Sequence, residues 1–69
     1  MKKDYTYTRA IEFDFDYLIK EYELNNEDFE TCKYAVHDYV GGLDDEYYYL
    51  IDNEDEIARD LYDYIQSKK

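Results

Sequence analysis

The chain has no proline and no tryptophan, only two glycines, and a single cysteine among its 69 residues. One cysteine excludes an internal disulfide and a zinc site built from several cysteines. No apolar run approaches the roughly 20 residues that a membrane-spanning helix needs. The first residues are basic but no apolar stretch follows them, so no secretory signal is predicted. We therefore expect a cytoplasmic protein with one domain, residues 1–69.

Basic residues are also scarce, since eight lysines and arginines face 19 aspartates and glutamates, for a formal net charge of −11. Between residues 12 and 67, 18 acidic residues stand against three basic ones. Direct binding to nucleic acid is disfavoured, because phosphate contacts require lysine and arginine. A basic partner protein is favoured instead. Crowding of so many carboxylates on a small surface also predicts carboxyl pKa values above those of the unfolded chain.

Acidic chains are often disordered, but disordered segments contain few aromatic residues. This chain has 11 tyrosines and three phenylalanines. The sequence therefore predicts a folded domain with a strongly charged surface and one small core. The predicted core residues are Ile11, Phe13, Phe15, Leu18, Ile19, Phe29, Val36, Val40, Leu50, Ile51, Ile57, Leu61 and Ile65.

The N-terminal part of the chain changes its hydrophobic period at Asp14. Residues 5–13 alternate between two faces and are rich in Tyr, Thr, Ile and Phe, which predicts a strand. After Asp14 the apolar residues have helical spacing. This spacing predicts a short helix that has Asp14 or Asp16 as its N-cap and ends at Leu24.

Residues 27–40 fit two patterns. One is a helical stripe of apolar residues, at Phe29, Cys32, Val36 and Val40. The other is an alternation of tyrosine and valine, which is typical of a strand. We prefer the second interpretation, with a loop through Thr31 and a strand from about Lys33 to Val40. Gly41 and Gly42 then break the chain.

The C-terminal part begins with three consecutive tyrosines within residues 46–51, which we predict to form a short strand or an extended segment. The last element is a helix over about residues 53–66, because Asn53 and Glu56 have the spacing of a capping box and an apolar stripe follows them. The predicted fold class is α+β, with a small two- to three-stranded antiparallel sheet and two helices.

The segment Tyr34 to Gly42, Tyr-Ala-Val-His-Asp-Tyr-Val-Gly-Gly, resembles a signature of ArdA-type antirestriction proteins, Tyr-Ala-Ile-His-Asp-Tyr-Glu-Gly. Val40 stands where the family commonly has Glu. In that family the signature closes a strand of a small α+β domain, and an acidic, tyrosine-containing loop and an acidic helix follow it. Residues 44–47 and the last helix have the same order here. The family members are much longer and join several such domains.

The resemblance implies a DNA mimic, in which surface carboxylates imitate phosphates and occupy the DNA groove of a type I restriction–modification enzyme. The charge count agrees with this role. A globule of this length is roughly 28 Å across, and that length of duplex carries roughly 16 phosphates. The expected partner is a basic DNA-binding protein: a restriction–modification enzyme, a CRISPR nuclease or a DNA-repair enzyme.

The predicted partner-binding residues lie in the loop after Gly42 and on the outer side of the last helix. They are Asp44, Asp45, Glu46, Asp52, Glu54, Asp55, Glu56, Asp60, Asp63, Tyr47 and Tyr49. The alternative is a small acidic adaptor or structural subunit, which binds a protein partner through exposed tyrosines. A homodimer through a strand edge that carries Tyr5, Tyr7 and Arg9 also stays open.

No set of residues predicts catalysis. His37 is the only histidine, and acidic surroundings disfavour the thiolate that Cys32 needs as a nucleophile. A calcium-loop spacing begins at Asp52, but Ile57 occupies the position that requires glycine. We therefore expect a protein that binds a partner, with no enzymatic activity, metal or cofactor.

Overall fold

The structure is a computed structural model, and it describes residues 1–6, 10–24 and 28–68. Two strands come first, β1 (Lys2–Thr6) and β2 (Ala10–Asp14). Three α-helices follow: α1 (Phe15–Tyr22), α2 (Phe29–Gly41) and α3 (Glu54–Ser67). A 3₁₀ segment, Asp45–Asn53, lies between α2 and α3. The predicted α+β class with an antiparallel sheet is therefore confirmed.

The strand predicted over residues 5–13 is divided into two strands by a chain reversal. β1 and β2 pair antiparallel, with Tyr5 opposite Ile11. Each pair joins two odd-numbered or two even-numbered residues, so β1 and β2 alternate between the two faces in the same phase. The period of two in the sequence therefore does not show that the chain forms two antiparallel strands. Tyr5 and Phe13 are both buried, and their rings meet edge to face with centroids 5.7 Å apart.

Helix α1 begins where the sequence predicts. Asp14 is its N-cap, because its carboxylate accepts a hydrogen bond of 3.2 Å from the backbone N–H of Tyr17. The helix ends at Tyr22, and the C-cap residue Glu23 has a left-handed φ of 54° and an N–H that donates to the carbonyl of Ile19. Glycine or asparagine usually occupies such a C-terminal position.

Residues 29–41 form a helix, so the predicted loop and the strand over residues 33–40 are wrong. The carboxylate of Asp28 caps the helix and accepts hydrogen bonds of 3.0 Å from both the N–H and the hydroxyl of Thr31. The buried residues of α2 repeat at helical spacing: Cys32, Ala35, Val36 and Val40. Burial of this stripe outweighs the weak strand preference of tyrosine and valine. His37 lies in mid-helix, and it does not close a strand as the resemblance implies.

Residues 46–51 are not extended, as predicted, but belong to the 3₁₀ segment. The last helix is confirmed within one residue at each end, since it spans Glu54–Ser67. The predicted capping box does not form. The side chain of Asn53 makes no capping hydrogen bond, and its amide instead donates to the carbonyl of Tyr49 at 3.2 Å.

One hydrophobic core joins both strands and all the helices, and α3 packs mainly against α2. Every residue predicted for the core is either buried there or packs half-buried against it. The structure adds five buried residues that the sequence analysis did not select: Tyr5, Leu24, Cys32, Ala35 and Ala58.

The molecule is elongated, with dimensions of 34 × 18 × 18 Å and a radius of gyration of 11.2 Å. The radius agrees with the value of about 11 Å for a compact chain of this length. Among the described residues, none of the helices combines the length and the apolar character that crossing a membrane requires.

Candidate functional site

Acidic side chains cover the surface of the molecule. Of the 18 aspartates and glutamates within the described ranges, 15 are exposed, and no polar or charged residue there is buried. The other three are half-buried: Asp14, Glu54 and Asp60. Any folded acidic chain places most carboxylates in water, because burying an ion without a partner is very unfavourable. The informative property is therefore what each carboxylate contacts.

The acidic loop after Gly42 leads into the 3₁₀ segment. Asp44 is the N-cap residue of this segment, but its side chain makes no capping hydrogen bond. Asp45 and Glu46 lie in the first turn and are exposed. The carboxylates of Asp44 and Asp45 contact no cation or hydrogen-bond donor of the described chain, and they are thus available to a partner.

The predicted carboxylates of the last helix and its approach are also mostly exposed: Asp52, Asp55, Glu56 and Asp63. Asp55 is 73% exposed, although its Oδ1 lies 3.0 Å from Nζ of Lys33. The hydrogen bond that Lys33 donates to Asp55 raises the pKa of Lys33. Exposed ion pairs contribute about 0–1 kcal/mol, so a cation of a partner can replace Lys33 at little expense in stability.

Asp60 belongs to the predicted set, but the fold already uses its carboxylate. Oδ2 accepts hydrogen bonds from the hydroxyl of Tyr5 at 2.6 Å and from Nζ of Lys3 at 2.9 Å. Burial by itself raises the pKa of Asp60, but these hydrogen bonds outweigh burial, so the net pKa is lowered. Asp60 therefore joins α3 to β1.

Asp16 contacts three donors, and it was not among the partner-binding residues predicted from the sequence. Its carboxylate binds the ammonium group of Met1, the hydroxyl of Tyr64 at 2.8 Å and Nζ of Lys68 at 3.1 Å. These hydrogen bonds, led by that from the Met1 ammonium, hold the pKa of Asp16 well below its usual range. This cluster joins the start of the chain to the first turn of α1 and to the C-terminal end of α3.

The expected rise of carboxyl pKa values is wrong for the carboxylates with specific donors. The pKa values of Asp16 and Asp60 are lowered, as is that of Asp28, which accepts hydrogen bonds from the backbone and the side chain of Thr31. A donor at hydrogen-bond distance stabilises the ionised form more than distant, solvated carboxylates destabilise it.

The tyrosine run is divided by the geometry of the 3₁₀ segment. Tyr47 and Tyr49, which the sequence analysis selected, lie half-buried against the core, whereas Tyr48 between them is 65% exposed. Within the described ranges, two further tyrosines are exposed: Tyr17 and Tyr34. Tyr7 and Arg9, on which the proposed homodimer edge depends, lie outside the described residues.

A shallow groove of about 220 Å³ lies between α2 and the start of α3. Its lining residues are Glu30, Lys33, Tyr34, His37 and Glu54. Nδ1 of His37 lies 2.6 Å from Oε2 of Glu54, and this contact crosses between the two helices. The strand predicted over residues 33–40 hides the groove, because a strand would place Lys33 and Tyr34 on opposite faces. The signal for it is the helical spacing of its four α2 residues.

Comparison of the chain with protein-family models, with curated proteins and with solved structures finds no match. The function is therefore inferred from the surface described above and from the sequence resemblance of the segment from Tyr34 to Gly42.

The chemistry available to this surface is ionic and aromatic. No group of three or more His, Cys, Asp or Glu side chains in the described part of the chain is arranged to hold a metal ion. Cys32 is fully buried in the core, so its thiol is not accessible to a substrate in the folded state. The arrangement supports binding to a cationic surface.

Proposed function

We propose that this protein is a DNA mimic, which inhibits a basic DNA-binding protein by occupying its DNA groove. The observation that carries the proposal is that the carboxylates of Asp44, Asp45 and Asp63 are exposed and contact no donor of the described chain, on a body 34 Å long. One turn of B-DNA has a similar length of about 34 Å and carries about 20 phosphate charges. The whole chain has 19 acidic residues.

Two local features support the assignment of the binding surface. The carboxylates of Asp44 and Asp45 have no contact that stabilises the fold, so a partner's cations do not compete with internal ones. Asp52 and Asp63 are likewise exposed, on the approach to α3 and on the helix itself. Asp44, Asp45, Asp52 and Asp63 are therefore retained as partner-binding residues, whereas Asp60 is assigned to the fold. Glu54 and Asp55 are already paired with His37 and Lys33.

Inhibition by such a mimic requires only competition for the DNA groove, without nucleotide, metal or covalent chemistry. Opposite charges accelerate the encounter of the two proteins, and salt slows it. The segment Tyr34 to Gly42 resembles ArdA-type proteins in sequence, although residues 29–41 are helical here, and this resemblance favours a restriction–modification enzyme as the target. A CRISPR nuclease and a DNA-repair enzyme bind DNA through the same kind of basic groove, and they are the other candidate targets.

The test is displacement of a fluorescent duplex from a type I restriction enzyme, a Cas9-type nuclease and a uracil-DNA glycosylase, followed by fluorescence polarisation. The parent protein should displace the duplex from at least one of them, less effectively as salt rises. A variant with Asp44→Asn, Asp45→Asn and Glu46→Gln should lose about tenfold or more in potency, because close ionic contacts at interfaces often contribute 1 kcal/mol or more each.

A matched control neutralises three exposed acids elsewhere, Asp4→Asn, Glu12→Gln and Glu21→Gln. Both triple variants have the same net charge, so a loss of potency confined to the first one assigns the effect to the loop. Failure of the parent to displace duplex from any of the three proteins contradicts the proposal, as does equal potency of the parent and the loop variant.

The adaptor alternative is favoured by one observation, the exposure of Tyr17, Tyr34 and Tyr48 to 49%, 64% and 65%. Exposed tyrosines are enriched at protein interfaces. Under this alternative the loop variant keeps its binding, and replacement of an exposed tyrosine removes it with little dependence on salt.

A further inference from the structure

One face of α2 differs in chemistry from the rest of the acidic surface. Glu30, Lys33, Tyr34 and His37 lie three or four residues apart, and they therefore share one face of the helix. The buried stripe of α2 is on the opposite side. Tyr34 is 64% exposed, so its ring is accessible from solvent at the wall of the groove.

The basic groups of the groove are already engaged by carboxylates of α3. Nζ of Lys33 lies 3.0 Å from Asp55, and Nδ1 of His37 lies 2.6 Å from Glu54. Glu30 is exposed and makes no hydrogen bond or close ion pair within the described chain, although its charge contributes to the raised pKa of Lys33. In and beside the groove, three carboxylates thus outnumber the two basic side chains, so the site is complementary to an added positive charge.

We infer that this groove receives an arginine side chain of the partner protein. The guanidinium would stack on the ring of Tyr34 and donate hydrogen bonds to the carboxylate of Glu30, one helical turn away. Arginine fits better than lysine, because its planar group stacks on aromatic rings and binds carboxylates with two parallel hydrogen bonds. It is also less strongly hydrated than an ammonium group.

The size of the groove restricts the occupant. Its volume of about 220 Å³ corresponds to roughly seven water molecules in the liquid. That space accommodates one long side chain. The inference rests on the proposed function, since DNA-binding proteins contact phosphates with arginine, and it names the residue class that the mimic recognises at this point.

The test is an NMR titration of the full chain with the blocked tripeptide Gly-Arg-Gly, and with Gly-Lys-Gly as the matched peptide. The backbone amide signals of Tyr34, His37 and Glu54 should shift with the arginine peptide, and its affinity should exceed that of the lysine peptide. Tyr34→Leu should weaken arginine binding about two- to fivefold, the usual range for an exposed cation–π contact. Glu30→Gln should also weaken it.

Tyr48→Leu is the matched control, because Tyr48 is exposed to the same extent as Tyr34 but lies outside the groove. This variant should bind the arginine peptide like the parent. Circular dichroism should show that all variants remain folded, as expected for exposed side chains. Equal binding of the two peptides, equal effects of the two tyrosine variants, or shifts confined to Asp44–Glu46 would overturn the inference.

Failure of the inference and failure of the proposed function give different results. If the parent displaces duplex DNA but the arginine peptide does not shift the groove signals, the mimic proposal stands and the groove has no such role. If the peptide binds in the groove but the parent displaces no DNA, the arginine site stands and the proposed function fails.

Discussion

At the scale of single residues, Asp60 shows how a surface acid becomes part of the fold. Its carboxylate accepts hydrogen bonds from Tyr5 and Lys3, which are 55 and 57 residues away in the chain. Hydrogen bonds to a charged group contribute about 1.5–3 kcal/mol when they are well shielded from water. The side chain of Asp60 is 27% exposed, so we expect these hydrogen bonds to contribute to stability near the lower limit of that range.

We predict that Asp60→Asn lowers the free energy of unfolding at pH 7 by about 1 kcal/mol. The folded-state pKa of Asp60 is lowered, so its contribution is complete above the unfolded pKa of about 3.9 and is lost as the pH falls through the folded-state pKa. The stability difference between parent and variant should therefore shrink below about pH 4. Urea unfolding between about pH 7 and pH 2 measures it.

Asp63→Asn is the control for this prediction. Asp63 lies on the same helix, is exposed and contacts no donor of the described chain. Its substitution should change stability little at any pH. An equal loss for both variants would show that the Asp60 contacts are not specific, and a difference that persists unchanged at the lowest pH would contradict the lowered pKa.

At the scale of secondary-structure elements, α2 and the 3₁₀ segment explain why local preference misleads in this chain. Both contain tyrosine next to valine, leucine or isoleucine, residues that are common in strands. In α2, the buried Val36 and Val40 at helical spacing decide the conformation instead, and in the 3₁₀ segment Leu50 is the one residue buried in the core. Asp28 and Thr31 add a helix cap that the sequence already contained.

Gly41 provides a test of the helical assignment of α2. It is the last residue of the helix, its φ is not positive, and a methyl group added there would meet no atom within 4 Å. We predict that Gly41→Ala stabilises the protein by about 0.5–1 kcal/mol, because alanine restricts the unfolded chain and favours the helix.

Thermal unfolding followed by circular dichroism measures this effect. Gly42→Ala is the companion variant: the residue lies just beyond the helix, where an added methyl group would contact the carbonyl oxygen of Tyr39 at 3.5 Å. It should stabilise less than Gly41→Ala. Destabilisation by Gly41→Ala would contradict a helix that extends through Gly41.

At the scale of the whole molecule, the net charge of −11 on 69 residues opposes folding, because like charges come closer together in the folded state. We predict that raising NaCl from about 20 mM to about 500 mM increases the melting temperature by several °C, since salt screens this repulsion. About 1 kcal/mol corresponds to about 4–8 °C for a domain of this size.

The variant with Asp44→Asn, Asp45→Asn and Glu46→Gln supplies the comparison for this measurement. It carries three fewer negative charges, so it should melt higher than the parent at low salt and respond less to added NaCl. A melting temperature that falls as salt is added would show instead that the internal ion pairs, such as that of Lys3 with Asp60, outweigh the repulsion.

The sequence by itself determined the fold class, the core and the acidic surface. Apolar side chains are buried and charged side chains stay in water whatever the topology. Exposing the first kind or burying the second without a partner is unfavourable by several kcal/mol. The first and last helices were predictable for the same reason. The first helix has its cap, Asp14, within a few residues of its apolar stripe, and the last helix has an apolar stripe that is local in sequence.

Only the tertiary structure decided the features that depend on residues far apart in the chain. The reversal between β1 and β2, the helical state of residues 33–40, the exposure of Tyr48 and the engagement of Asp60 all follow from packing against other elements. Local preferences at these positions differ by at most about 1 kcal/mol. Burial of a single large apolar side chain contributes about 1.5–3 kcal/mol, so packing of the core overrules the local pattern.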